Sequence, residues 1–378
     1  MQKYNDLLIT HRRALHQIPE LSYKEHKTSA YLHEHLGKFG CFEIKKYAVT
    51  GLTAAYHGCD SDEYFALRAD MDALPVTELT GLDFSSHHTG NMHACGHDLH
   101  MAILLTLAEY IHDKKPASNI LLIFQPAEEG HGGAERMIAE GLLSDYRIKN
   151  IFALHNTCEY PVGTIALNHH KMFAGTVEYK ITLAGKGGHA AFYHQLNDLN
   201  VAASLLVMML TSIPSRIINP NHEAIVSVGN IGGEGGPAAN ILPEKFHLHG
   251  TARSFYAEDL LIIKKKIRDM AKAISIAYDI EADVTLISEY VPVINNPMQA
   301  DRIFALDSRS GLKIIECEQK MTGEDFGFFT ARIPGAIFWL GTGNDNPYHD
   351  FALHNSAYSP NESGMKFGFE AIRMLLEI

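Results

Sequence analysis

One stretch, Asn119-Ile120-Leu121-Leu122-Ile123-Phe124, limits the possible folds more than any other, because its apolar run is unbroken by charge or alternation. A strand that is apolar on both faces has to be covered on both, which is the condition of a parallel strand in an α/β sheet. It ends in the polar, turn-forming Gln125-Pro126-Ala127-Glu128-Glu129-Gly130. Tyr64 to Ala69 reads as a second buried strand ending at Asp70-Met71-Asp72, and Ile151 to Leu154 as a third ending at His155-Asn156. Leu99 to Ile111, apolar nearly all round, and Ala134 to Leu143 read as helices between them. Repetition of strand, polar end and helix predicts an open α/β sheet with helices on both faces and a site along the carboxyl edge of its strands.

Before this pattern, the residues up to about Leu36 show helical spacing interrupted at Ile18-Pro19-Glu20, which predicts two helices around a turn. Pro75 to Asn91 is a polar loop. After about Phe173 the pattern changes. Strands are expected over Thr176–Ala184, Ala224–Gly229, Lys245–Ser254 and Ala282–Ser288, with helices over Asn200–Ser212 and Glu258–Ala277. The order βαββαβ predicts a ferredoxin-like module. Asp301 to Asp307 returns to helical spacing, Ala336 to Leu340 is another buried strand, and Ser363 to Leu376 a closing helix. The expected domains are therefore a catalytic part over 1–172, an insertion over 173–289, and the catalytic remainder over 290–378.

Chemistry concentrates in His93-Ala94-Cys95-Gly96-His97-Asp98-Leu99-His100, which crowds thiolate, imidazole and carboxylate into one loop. Zn²⁺ and similar cations accept that mixture, and Cys95 and His97 flank a permissive glycine at the start of a helix, where a thiolate is favoured. Glu128 and Glu129 can divide the tasks of cation ligand and general base. Asp70 can orient a ligating histidine. Each has a plainer reading: a solvated acidic turn, a helix cap, an edge histidine at His155, a loop histidine at His354 in His349-Asp350-Phe351-Ala352-Leu353-His354-Asn355. Together, Cys95, His97, Glu129, His155 and His354 suffice for two divalent ions with positions left for water and substrate, as in metal-assisted amide hydrolysis. No P-loop or GxSxG elbow competes with this reading.

Composition excludes other classes. The 378 residues carry a net charge of −12 without a long basic run, which argues against nucleic acid as partner. No apolar run is long enough for a bilayer, and the polar start, Met1 to Asp6, is unlike a signal peptide, so the cytoplasm is expected. Five scattered cysteines do not read as a disulfide framework.

Leu67 to Pro75, His93 to Asp98, Gln125 to Gly130, Gly187-Gly188-His189-Ala190 and Glu324-Asp325-Phe326 together resemble the amidohydrolase branch of the dinuclear aminoacylase/carboxypeptidase metallopeptidases, in order and nearly end to end. Gly90 to Cys95, Asp98 to Met101 and Met321 to Gly327 narrow the likeness to deacetylases of N-acetylated amino-acid derivatives. The resemblance implies a Zn-peptidase-like domain with an inserted lid that pairs into a homodimer, and an N-acyl amino acid as substrate. It implies Cys95, His97, Glu129, His155 and His354 as ligands of two divalent ions per subunit, from among Zn, Co, Mn and Ni. Glu128 would be the general base and Asp70 the second catalytic carboxylate, with Glu128 and Glu129 interchangeable at this point. His189 would stabilise the oxyanion from a partner subunit, and Asn240 and Arg253 would bind the substrate carboxylate. Many relatives outside the branch carry a histidine ligand where this chain has Arg68, which leaves Cys95 to compensate. The alternatives are a hippurate-type or general aminoacylase, a dipeptidase, and a metal-dependent binding protein without catalysis.

Overall fold

The apolar run is a doubly covered strand: Ile120–Gln125 has every residue buried. In the computed structural model, which describes residues 1–234, 238–306, 312–344 and 351–376, this strand belongs to the first of two compact units. That unit comprises Met1–Met172, Ile294–Gln319 and Asp325–Ile378; the other comprises Phe173–Val293 and Lys320–Glu324. The insertion expected over 173–289 falls within the second unit.

The first unit opens with helices α1 (Gln2–His16) and α2 (His26–Phe39), then strands β1 (Phe42–Tyr47), β2 (Gly51–Tyr56) and β3 (Glu63–Asp70). Helix α3 (His97–Lys114) begins two residues before the apolar periodicity does, and Leu99 to Ala108 is buried without a break. It is followed by β4 (Ile120–Gln125), α4 (Gly133–Ala139), β5 (Arg147–Pro161) and β6 (Thr164–Leu167). Two expectations are corrected here. The helix over 134–143 is broken at Gly141, whose φ of 106° is left-handed and ends it. The strand expected to stop at Leu154 runs on to Pro161, so His155 stands inside β5, opposite Trp339.

In the second unit, β7 (Gly175–Ala184), α5 (Leu199–Thr211), β8 (Ala224–Gly233), β9 (Lys245–Ser254), α6 (Ala257–Tyr278) and β10 (Glu281–Tyr290) give the βαββαβ order. Their antiparallel sheet runs β8-β9-β7-β10, the ferredoxin-like arrangement. Val177, Tyr179, Ile181 and Leu183 alternate inward on β7, into one core with Leu206 and Leu210 of α5 and Ile263 and Ile267 of α6. Strand β8 outlasts its expected end at Gly229 because a register shift between Val228 and Asn230 carries the pairing on to Gly233.

The chain returns to the first unit with α7 (Pro297–Phe304), β11 (Lys313–Glu316), β12 (Gly335–Gly343) and α8 (Met365–Leu375). Asp307, the expected end of α7, lies outside the described residues. The large sheet has the order β1-β2-β4-β3-β5-β12-β6-β11. Its centre, β4-β3-β5-β12, is parallel, with antiparallel β2 and β1 on one side. The central carboxyl ends therefore share one edge, and Arg68 pairs with Ala153, placing Asp70 and His155 two residues further along adjacent strands.

A buried ionic contact ties α1 to the start of α3. Asp98 Oδ2 accepts from Arg12 Nε at 3.2 Å and lies 2.9 Å from His16 Nδ1, while His16 Nε2 is 3.2 Å from Glu78. Burial disfavours a cationic His16, but Asp98 and Glu78 outweigh it and raise its pKa to about 9. A raised pKa stabilises the fold fully below the unfolded value of about 6.5, and this is lost as pH rises through 9. The unfolding free-energy difference between wild type and His16→Gln is thus expected to be largest near pH 6 and to shrink by on the order of 3 kcal/mol above pH 9. Chemical denaturation across that range checks it, and a difference independent of pH would rule out a cationic His16.

Candidate metal centre

The carboxyl edge gathers Asp70 at the end of β3, Glu128 and Glu129 after β4, and His155 in β5, while Cys95 and His97 enter at the start of α3. Gly96 makes the approach possible: its φ is 84°, and a Cβ there would lie 2.3 Å from Asn156 Oδ1. His354 arrives from the C-terminal segment, where its backbone N donates to Ala94 O at 2.8 Å. Tyr358 packs with Met92 and Ala94, fixing that segment against the loop. His349 and Asp350 lie outside the described residues.

The hydrogen bonds assign the imidazoles. His97 Nδ1 is 2.9 Å from Asp72 O, and His155 Nδ1 is 2.9 Å from Asn156 O. A carbonyl only accepts, so both rings carry a hydrogen on Nδ1, which leaves Nε2 as the position that can ligate once it is free of a proton. His97 Nε2 is buried with no hydrogen-bond partner, 3.7 Å from Asp70. His100 differs: it accepts from Asn156 N at Nε2, at 3.0 Å, and donates from Nδ1 to Asp70 Oδ1 at 2.6 Å. With both nitrogens occupied, it supports the site instead of ligating.

Two groups of donors, each with its atoms within 4.8 Å of one another, share Cys95: one adds His97 and His155, the other Glu129 and His354. Cys95 Sγ lies 3.4 Å from His155 Nε2. Glu129 Oε1 lies 3.3 Å from His354 Nε2 without the geometry of a hydrogen bond. Ligands of a tetrahedral cation with bonds of about 2.0 to 2.3 Å sit about 3.3 to 3.8 Å apart. The orphaned buried His97 Nε2 and Glu129 Oε1, together with these spacings, fit divalent cations. The sequence places all five proposed ligands here.

Around the donors, the Asp72 carboxylate accepts from Glu128 N and Glu129 N, each at 3.0 Å. Arg68, fully buried, does not ligate: it donates to Gln125 Oε1, Asp70 Oδ2 and Asp325 Oδ1 at 2.7 to 2.9 Å. Complete burial disfavours ionised Asp70, yet His97, His100 and Arg68 hold it well below the ordinary carboxylate range. Sequence reasoning gave no role to Asp72 or His100, because each is fixed by contacts distant in sequence: Asp72 by the Glu128 and Glu129 amides and Ser22 Oγ, His100 by the Asn156 amide and the Asp70 carboxylate. His189, Asn240 and Arg253 all lie in the second unit. Gly188-His189 pairs with Ile241-Leu242, Asn240 O accepts from Ala190 N at 2.8 Å, and both His189 and Asn240 are exposed. Arg253 Nη1 donates to Met321 O at 3.0 Å.

Fold and donor set are those of a metal-dependent hydrolase on an α/β sheet. The profile of peptidase family M20/M25/M40 matches residues 66–377, and the chain belongs to that family. It is 40% identical over 376 residues to an N-acetyldiaminopimelate deacetylase of Streptococcus pneumoniae (strain CGSP14), covering 98% of each chain. It is 42% identical over 361 residues to a protein of the same name from Bacillus pumilus (strain SAFR-032), covering 95% of this chain and 94% of that one. Among solved structures, a putative aminohydrolase from methicillin-resistant Staphylococcus aureus superposes with a TM-score of 0.88 at 28% identity, over 99% of this chain and 97% of that one. The YXEP protein of Bacillus subtilis, described as a dinuclear metal-binding peptidase of the M20 family, gives 0.81 at 28% identity, over 99% and 98%.

Protonation of the donors sets how a cation enters. Burial, then Glu129, Glu128 and Asp70, push the Cys95 thiol well above its ordinary value. Burial opposes protonation of His97, but Asp70, Asp72 and Glu129 raise its pKa to about 10, whereas burial keeps His155 neutral. Cys95 and His97 therefore each hold a proton at pH 7 that a cation must displace. Binding of Zn²⁺ or Co²⁺ is expected to release protons and to tighten as pH rises toward 10. Calorimetry in buffers of differing ionisation enthalpy measures this, and no proton release at pH 7 would mean that other donors bind.

Proposed function

We propose that the chain hydrolyses N-acetyl-L,L-diaminopimelate to L,L-diaminopimelate and acetate, a step toward lysine. The observation that carries the reading is the pair of donor groups sharing buried Cys95, with Glu128 beside them; the relatives' names supply the substrate. Cys95, His97, Glu129, His155 and His354 would hold two divalent ions, drawn from Zn, Co, Mn and Ni. When bound, such ions supply Lewis acidity for the amide carbonyl and make a water more acidic.

Glu128, buried and held by its backbone to Asp72, takes a proton from the attacking water as oxygen adds to the acetyl carbon. It passes that proton to the amine nitrogen as the C–N bond breaks, so acetate and free amine leave. Asp70 stays anionic throughout, strengthening His97 as a donor and fixing His100. Arg253, a planar fork, suits the substrate carboxylate, with Asn240 beside the same function and His189 serving the oxyanion. Val201, Leu205 and Met208 form an exposed apolar stripe on α5, 46%, 40% and 68% accessible, which supports a homodimer through the inserted unit. No helix among the described residues is long and apolar enough to cross a membrane. All five cysteines are free, which supports a cytoplasmic location.

Glu128→Gln is expected to lower kcat by about 10²- to 10⁴-fold while the metal stays bound. Wild-type turnover in a metal-loaded variant would remove Glu128 from this role. Stripped enzyme given Zn²⁺, Co²⁺, Mn²⁺ or Ni²⁺ singly is expected to favour N-acetyl-L,L-diaminopimelate over hippurate and dipeptides by at least about 100-fold in kcat/KM. Preference for hippurate would favour a general aminoacylase, and preference for dipeptides a dipeptidase.

A further inference from the structure

Glu25 occupies the N-cap of α2, where a carboxylate ordinarily receives the first N–H groups of its own helix. It makes no such bond. Glu20 does that work instead, its Oε2 accepting from Lys27 N at 2.7 Å and Thr28 N at 3.0 Å. The fully buried Glu25 carboxylate points to other segments: Oε2 accepts from Thr50 Oγ1 at 2.7 Å and Oε1 from Ala127 N at 3.0 Å. Burying a carboxylate is costly, so its diversion from a cap to a distant turn calls for a cause.

The turn supplies it. Ala127 has φ 56° and ψ 43°, a left-handed conformation that residues with a Cβ rarely adopt. Its N–H goes to Glu25, and the next two, of Glu128 and Glu129, go to Asp72. Three successive amides thus converge on two buried carboxylates. Gly133 N closes the turn on Ala127 O at 3.0 Å, and a Cβ at Gly133 would lie 1.7 Å from Pro126 O. Without Glu25, a buried N–H loses its acceptor and the left-handed residue loses its anchor, one position before Glu128.

We propose that Glu25 is a positioning residue for the Glu128–Glu129 pair, its carboxylate holding the Ala127 amide so that one glutamate reaches the reacting water and the other the cation. This rests on the roles given to Glu128 and Glu129 above. What Glu25 supplies is placement, not charge. A glutamine there keeps both bonds, Oε1 accepting from Ala127 N and Nε2 donating to Thr50 Oγ1, which can accept. An aspartate keeps the charge but draws back by one methylene, about 1.5 Å, and cannot hold both.

Two readouts separate these cases: kcat and KM for acetate release at saturating metal, and Co²⁺ titration of metal-free protein followed by thiolate-to-cobalt absorption. Glu25→Asp is expected to lower kcat by about 10- to 100-fold with KM within about 2-fold, and to weaken Co²⁺ binding by at least about 10-fold. Glu25→Gln, isosteric and expected to fold, stays within about 3-fold of wild type in both. Wild-type behaviour of Glu25→Asp in both readouts would overturn the proposal, as would an equal loss in Glu25→Gln. If wild type binds Co²⁺ but releases no acetate from any substrate, the proposed activity fails, and the ranking of the three proteins in Co²⁺ affinity still decides the role of Glu25.

Discussion

Two backbone carbonyls govern what this centre can do. Asp72 O and Asn156 O take the Nδ1 hydrogens of His97 and His155, so both rings turn Nε2 toward Cys95 and its neighbours. Ring orientation, and with it the nitrogen left to ligate, is settled by main chain at the ends of two strands before any cation binds. The remaining polar groups follow from that choice. His100, given a backbone donor instead of a carbonyl at its Nε2, is turned into a brace for Asp70.

Arg68 shows how one buried cation organises its neighbours. It places a permanent cation that forks onto Gln125, Asp70 and Asp325 in the dry interior. Asp325 also accepts from Gln125 Nε2 and Ala134 N, so the first turn of α4 and the end of β4 meet on one carboxylate. The Glu324-Asp325-Phe326 motif thus has a physical basis: Asp325 neutralises Arg68 and ties the segment after the insertion to the sheet. Cys95 is shared by both donor groups.

Much of this was legible in the sequence because it depends on periodicity. An unbroken apolar run means a strand covered twice, and β4 is one; polar residues at strand ends mark the edge where a site gathers. The order βαββαβ and the start of α3 followed the same way. His155 was legible as a site residue but not as a residue within a strand, because burial of β5 continues through polar Asn156 and Thr157, which apolar patterning does not register. Asp72 and Glu25 were illegible for another reason. Their partners include main-chain amides far along the chain, and a choice of acceptor leaves no trace in composition or spacing.

His354 has one more consequence, topological in kind. It is separated from the other four proposed ligands by the whole inserted unit, so a cation joining it to Glu129 and Cys95 would close a loop of on the order of 200 residues. Like a covalent cross-link, such a closure removes freedom from the unfolded chain, on the order of 5 kcal/mol for a loop of this size. The ions would then act as reversible fasteners of the polypeptide as well as reagents, and chelation would loosen the C-terminal segment from the loop around Ala94 while leaving the hydrogen-bonded sheet closed.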